Sequence, residues 1–219
     1  GTKTLNIIYN YFSNINVNLL CANNNAKKLA KQSHIYSPKY IYLNNKNKID
    51  YLNKNKNPKT KILSFNELKS YLKESKSNYS LLAVSGYNSL KYFDLILNNT
   101  DLLGLVSKET IVSAGHLFKN YSSNKKIKIF PIDSEHFSIF HQFNQFNHTL
   151  NSLTLTASGG PFLGKNFNSL KNVSFNQASK HPKWKMGYKN SIDSATLSNK
   201  CLELIEAHYL FDVPFKKLN

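Results

Sequence analysis

The stretch SLLAVSGYNSLKYFDLILNNTDLLGLV, residues 80–106, decides the fold class. Its opening SLLAV is a short apolar run ended by Ser85-Gly86, which is how a strand buried on both faces reads. Leu90, Phe93 and Leu97 then recur at helical spacing within NSLKYFDLILN, and LLGLV returns to the short apolar run. A strand, a helix and a second strand in direct succession force the two strands to run parallel.

Working outward, the same alternation continues. Leu5, Ile8 and Phe12 mark a helix, VNLLC a strand, and YIYL a second strand preceded by a helix. ILSFNELKSYLKES carries a capping box, Ser64 with Glu67 three residues on, and Leu63 and Leu68 stand as a hydrophobic staple. The Asn/Lys run at 44–61 reads as a surface loop or weak edge element. After KIKIFPIDSEH the pattern changes to a helix over 136–143, a strand NSLTLTA and a Gly-rich turn SGGPF. These readings predict an α/β protein with a doubly wound, parallel, Rossmann-like domain over residues 1–133, followed by an α+β domain over 134–219.

Composition narrows the function classes. The chain has 219 residues and a net charge of +17, yet all of its basic residues are lysines. Base reading ordinarily uses arginine forks, so a nucleic-acid partner is not expected, and a basic nucleic-acid-binding module is kept only as an alternative. Cys21 and Cys201 form no CxxC pair, which fits a reducing compartment. No apolar run has membrane-spanning length, so no membrane partner is expected.

Two regions carry candidate chemistry. Asp133 and Glu135 follow the strand KIKIF, and carboxyl ends of parallel strands are where ligands bind. In extended backbone the two would point the same way, while the plain alternative is a helix cap. From Ser194 a single helix is expected, with an apolar stripe of Leu197, Cys201, Leu204, Ile205 and His208. Asn199, Glu203 and Glu206 share the opposite face, which by default is solvated. The preceding HPKWKMG has the composition of a lid, and Ser194, Asn199, Lys200 and the Ser158-Gly159-Gly160 turn offer the donors that hold a phosphate.

HPKWKMG followed by SIDSATLSNKCLELIEAHYLF closely resembles the signature of the 1-deoxy-D-xylulose 5-phosphate reductoisomerase family, and PIDSEH, LVSKETIVSAGHLF and ASGGPF resemble three further motifs in the family's order. The resemblance implies isomerisation of a sugar phosphate and its reduction by NADPH in the non-mevalonate route to isoprenoids. It implies a divalent ion, Mg²⁺ or Mn²⁺ with Co²⁺ as a further candidate, on Asp133, Glu135 and Glu203, and Lys108 among the catalytic residues. By the same resemblance Ser134, Ser158, His181, Trp184, Ser194, Asn199 and Lys200 meet substrate, and Glu206 stands behind the metal ligands. Gly1, Asn23, Asn24, Asn25, Ser107, Glu109, Met186 and Gly187 fall on cofactor-binding positions. A homodimer of the whole protein is implied, in a bacterial or endosymbiont cytoplasm or, alternatively, a plastid stroma.

The chain also departs from the family pattern. Gly1 matches only the last glycine of the dinucleotide loop, so the cofactor domain is expected to lack its first strand and the catalytic domain its end. An inactive fragment or degraded homologue is the alternative reading. Ser107 stands where the family has asparagine, and Asn23, Asn24 and Asn25 where it has Gly-Lys-Asn, which bears on the choice of NADPH over NADH. Tyr188 replaces a basic residue after the lid's glycine. If the three carboxylates converge, they should raise one another's pKa, with Lys108 or Lys200 offsetting part of the repulsion.

Overall fold

The computed structural model describes residues 1–124, 128–145, 150–183 and 188–219, with only the main chain at 118–124, 128, 144, 145 and 189. The described chain packs as two units, Gly1–Ser77 and Asn78–Asn219.

In the first unit, helix α1 (Thr2–Tyr11) leads to strand β1 (Leu19–Ala22), helix α2 (Ala26–Tyr36), strand β2 (Tyr40–Leu43), helix α3 (Ile49–Asn55), strand β3 (Lys61–Ile62) and helix α4 (Phe65–Glu74). The three strands lie side by side in chain order and all run parallel. Apolar residues at helical spacing on α2 cover the sheet, so Leu29, Ala30, Ile41, Leu43 and Leu52 form one buried cluster. The Asn/Lys run at 44–61, expected as loop or weak edge, instead contains the helix α3 and reaches β3. Leu52, fully buried in the cluster, supplies the anchor that its polar neighbours concealed. The capping box forms as read: Ser64 Oγ accepts from the Glu67 main-chain N–H, and Glu67 accepts from Ser64 N–H at 2.8 Å.

In the second unit, strand β4 (Ser77–Leu82) is followed by helix α5 (Leu90–Leu97), strand β5 (Thr100–Leu105), helix α6 (Lys108–Asn124), strand β6 (Lys128–Pro131) and helix α7 (Ser134–Gln145). The strand order is β4-β5-β6, with β5 and β6 parallel. Leu82, Phe93, Leu97, Leu103, Leu105 and Ile111 make one buried cluster, so of the helical positions selected by periodicity Phe93 and Leu97 are buried and Leu90 is partly buried, while Val106 at the end of the second apolar run is exposed. Then come α8 (Phe175–Ala178), α9 (Tyr188–Ala195) and α10 (Ser198–Phe211). NSLTLTA forms a single bridge rather than a full strand: Leu153 pairs with Leu218, and Leu155 N–H donates to Asn219 O at 2.8 Å.

Two local features set the position of α10. The single helix expected from Ser194 is broken, because Leu197 takes a left-handed conformation with φ 62°, ending α9 and turning the chain into α10. Gly115, beside a kink at Ala114 in α6, lies under the Tyr209 ring of α10 so closely that a Cβ would sit 2.1 Å from a ring carbon. Only glycine permits that approach, which brings α6 and α10 together along their length.

Candidate active site

Cavities open at the carboxyl ends of the second unit's strands. One of about 240 Å³ is lined by Ser85 and Gly86 after β4, by Ser107, Lys108 and Glu109 after β5, and by Asn199 of α10. Another borders Ile132, Asp133, Ser134 and Phe137 after β6. This is the placement general for parallel α/β sheets.

Two acids of α10 are buried beside the fully buried Ala207. Glu203 and Glu206 are 1% and 3% exposed, whereas Leu197 and Cys201 of the expected apolar stripe are exposed. The default reading of a solvated polar face is therefore overturned. What reverses it is charge arriving from other elements. Lys108, at the start of α6, pairs with Asp133 Oδ2 at 2.7 Å and donates to Glu203 Oε1. Lys200 pairs with Glu203 Oε2, reaches Glu135 Oε1 at 3.1 Å and donates to Thr156 O at 2.7 Å. Asn199 donates to Glu203 Oε1 at 2.6 Å.

Oxygen atoms of Asp133, Glu135 and Glu203 thus lie within 4.8 Å of one another, each side chain at least partly buried. Asp133 and Glu135 reach this point differently from the expected extended backbone. Helix α7 begins at Ser134, and Asp133 Oδ1 accepts from the Glu135 main-chain N–H at 3.2 Å and the His136 N–H at 3.4 Å. Asp133 is both the cap of α7 and a member of the cluster. The set is all oxygen, which suits a hard divalent cation, and the fit is good: three acids within ligand reach with their outer oxygens already oriented by hydrogen bonds.

The expectation that these carboxylates raise one another's pKa is not met at Asp133. Burial opposes its charged form, but the hydrogen bond from His136 and the Lys108 ammonium outweigh burial and hold the carboxyl well below the usual carboxylate range. Lys108 is raised: burial works against the ammonium, and the attraction of Asp133 and Glu203 more than compensates. Glu206 is the group pushed up, to about 7, chiefly by burial.

His136 was not singled out from the sequence. It is fully buried, with Nδ1 3.0 Å from Asp133 Oδ1 and Nε2 2.9 Å from the Glu203 main-chain oxygen. Both partners accept, an arrangement that favours a proton on each ring nitrogen; burial works against the charged ring, and the Asp133 hydrogen bond, the Glu206 carboxylate and the Glu203 main-chain oxygen outweigh it and raise the pKa. The available signal was its position three residues after Asp133, one helical turn on.

The remaining expected residues are distributed as follows. Ser158 Oγ lies 3.4 Å from His181 Nε2, which is also 3.0 Å from Gly159 O, while His181 Nδ1 accepts from the Lys183 N–H at 3.2 Å. A Cβ on Gly160 would fall 2.4 Å from the Ser194 main-chain oxygen, so the SGG turn and the end of α9 pack backbone to backbone and bring Ser158 and Ser194 to one region. Ser134 Oγ donates to Glu135 Oε2 at 2.5 Å. Ser107 is buried and donates to Glu109 Oε2 at 2.8 Å, within a hydroxyl network with Ser89 and Thr110. In the first unit Asn23 and Asn24 accept from Asn44 and Asn45 at 2.9 and 3.1 Å, Asn25 caps α2, and Gly1 precedes α1. Trp184, Met186 and Gly187 lie outside the described residues.

Comparison with known proteins decides the family. The family model for 1-deoxy-D-xylulose 5-phosphate reductoisomerase matches residues 1–115, and that for its C-terminal domain matches residues 129–211. The chain belongs to the 1-deoxy-D-xylulose 5-phosphate reductoisomerase family. The enzyme of that name from Clostridium tetani is 37% identical over 223 residues, and that from Clostridium acetobutylicum 39% identical over 228; each alignment takes in 100% of this chain and 58% of the relative. Among solved structures, DOX-P reductoisomerase in complex with NADPH, fosmidomycin and magnesium superposes with a TM-score of 0.86 at 29% identity. The Zymomonas mobilis enzyme in complex with NADPH gives 0.87 at 29%. Each covers all of this chain, which spans 57% of either structure.

Proposed function

We propose that the protein carrying this chain converts 1-deoxy-D-xylulose 5-phosphate to 2-C-methyl-D-erythritol 4-phosphate, with NADPH as reductant and a divalent ion on Asp133, Glu135 and Glu203. The observation that carries the reading is the convergence of those three carboxylates within 4.8 Å, from the turn after β6, from α7 and from α10, in a chain of this family. When bound, Mg²⁺ or Mn²⁺ would supply Lewis acidity toward the ketone and hydroxyl oxygens of the substrate.

The chain's own residues supply the rest. Asp133 stays ionised at neutral pH, because His136 and Lys108 hold its pKa down. Lys108, with its ammonium between Asp133 and Glu203, keeps positive charge at the reacting oxygens' side of the site. Ser158 and Ser194, drawn together by the Gly160 contact, and Asn199 and Lys200 on the first turn of α10 provide donors for the substrate phosphate. His181, placed against the SGG turn, joins Trp184 and Met186 in closing over the substrate and excluding water. In the second unit the cofactor residues of this proposal are Ser107 and Glu109, whose mutual hydrogen bond lines the cavity after β5, with Met186 and Gly187; in the first unit they are Gly1, Asn23, Asn24 and Asn25.

The domain division at 133/134, the homodimer and a cytoplasmic or stromal location belong to the same proposal. The bacterial source of the relatives supports the location, and the C-terminal family match that begins at residue 129 supports the division.

The test is NADPH oxidation by the complete purified protein. Consumption should require both the sugar phosphate and Mg²⁺ or Mn²⁺. Turnover undiminished by chelator, or a folded protein that oxidises no NADPH, would overturn the reading.

A further inference from the structure

We infer that Lys48 is the residue by which this chain tells NADPH from NADH: its ammonium, held at the main chain of Asn24, meets the 2′-phosphate that NADPH carries and NADH lacks, and takes the place of the lysine that Asn24 replaces. The inference rests on the cofactor reading above and adds to it a residue from a different segment, the turn that follows β2.

In dinucleotide-binding parallel sheets, the position about 20 residues past the phosphate-binding glycines decides between the two cofactors. An Asp or Glu there accepts the ribose 2′-hydroxyl, whereas a cation nearby takes the 2′-phosphate. Counted from Gly1, that place is the end of β1, Ala22-Asn23-Asn24-Asn25. No acid stands there, and none occurs anywhere in residues 1–49, a stretch that holds seven lysines. The hydroxyl of NADH therefore meets no carboxylate from this stretch, and the surplus of positive charge favours an anion. Asn24 itself contributes no charge.

Lys48 reaches that place through the pairing of two turns. Beyond β1 and β2 the main chains stay in step, with Asn44 N–H donating to Ala22 O at 3.0 Å and Asn45 N–H to Asn23 O at 2.9 Å. Side chains continue the pairing: Asn44 Nδ2 donates to Asn23 Oδ1 at 2.9 Å, and Asn45 Nδ2 to Asn24 Oδ1 at 3.1 Å. Asn45 Oδ1 also accepts from Asn47 N–H at 3.0 Å, capping a 3₁₀ turn, Lys46–Lys48, from which Lys48 Nζ comes to 3.2 Å from Asn24 O. That carbonyl takes one of the three ammonium N–H bonds, so two are left to donate. Asn23 and Asn24 use their side-chain oxygens on the neighbouring turn, which keeps their amino groups as further donors. Among the described residues no carboxylate pairs with Lys48; the ion pair in this unit joins Lys61 to Glu67. A positioned ammonium beside neutral amide donors suits a phosphate.

The experiment titrates the complete protein with NADPH and with NADH separately, reading each dissociation constant from cofactor fluorescence. The parent should bind NADPH more tightly than NADH, by a margin that shrinks as salt is raised. Lys48→Ala should weaken NADPH binding about tenfold, as for loss of a hydrogen bond to a charged group, and leave NADH within about twofold of the parent. Lys48→Gln, which keeps a donor without the charge, should lose the preference as well and takes over the test if the Ala variant does not fold. Asn24→Lys added to Lys48→Ala should recover most of the lost NADPH affinity. Equal affinities in the parent, a Lys48 variant that holds NADPH as the parent does, or equal weakening toward both cofactors would each overturn the inference and leave the reductoisomerase reading in place. A double variant as weak as the single one would overturn the exchange of one lysine for the other. A parent that binds neither cofactor would bring down the cofactor reading itself, a result distinct from the others.

Discussion

In Gly1–Ser77 the buried polar groups are uncharged hydroxyls bonded to main chain: Ser33 donates to Ala30 O at 2.7 Å and Thr60 to Pro38 O, 22 residues away, at 2.7 Å. Its carboxamides stay outside and bond one another, as Asn44 does Asn23. In Asn78–Asn219 the buried polar groups include His136, Glu203 and Glu206, tied to partners as far as 95 residues away. Both units use parallel strands and helices, so the contrast is not one of architecture. Exposed carboxamide pairs follow from an Asn-rich composition. Ionisable groups buried with distant partners do not arise from composition, since each must be matched by charge or by hydrogen bonds. The contrast therefore locates chemistry independently of any motif.

The largest effect expected is from Glu203→Ala. It leaves Lys108 and Lys200 in a site where their side chains are only 12% and 17% exposed, without their shared partner. Loss of about 3–5 kcal/mol in urea denaturation is expected, as for breaking a buried pair. Loss of Lewis-acid stabilisation should lower kcat/KM about a thousandfold or more. A variant with parental stability would show that the second unit's charge cluster is as dispensable as the first unit's surface amides.

Titration sharpens the contrast at intermediate size. Glu206 has its pKa raised from 4.5 to about 7 on folding, so its contribution is fully present below 4.5 and is lost as pH rises through about 7. The displacement amounts to about 3 kcal/mol. Asp133 has the opposite sign: its pKa is lowered from 3.8, so its contribution is present at neutral pH and lost in acid. Denaturation midpoints followed between about pH 5 and 8 should decline for the parent, to which His136 with its raised pKa also contributes, and should decline less steeply in Glu206→Gln. An unchanged profile in the variant would assign the decline elsewhere.

The smallest effect belongs to the first unit. Ser64→Ala removes one half of the capping box on α4 and should lower stability by about 1 kcal/mol, read as a small fall in Tm with Mn²⁺ affinity unaltered.

What the sequence made legible was local. Leu82, Phe93, Leu97 and Leu103 follow from short apolar runs and helical spacing, and the Ser64 capping box from two residues three apart. The family motifs also brought Asp133, Glu135 and Glu203 to notice as a set, and their oxygens do converge. The orientation of α10 was not legible from periodicity, which favoured Leu197 and Cys201 as the inward residues. Burial there is decided by Lys108, whose pairing with Glu203 closes a long loop of chain that no window sees. Nor did the spacing reveal the break at Leu197, a residue that seldom adopts φ 62° and does so here at the junction of α9 and α10. His136 escaped notice because a lone histidine beside two acids has no pattern until Glu203 is brought to it.

The contact between Gly115 and Tyr209 has a consequence for heredity. With only 2.1 Å between a would-be Cβ and the ring, position 115 cannot grow while Tyr209 is present without driving α6 and α10 apart. A larger residue at 115 is admissible only on a genetic background in which 209 has already become smaller, and a small residue at 209 leaves a void until 115 grows. The two codons, far apart in the gene, therefore behave as one heritable character, and lineages of this protein should be found on either side of the exchange but seldom in between.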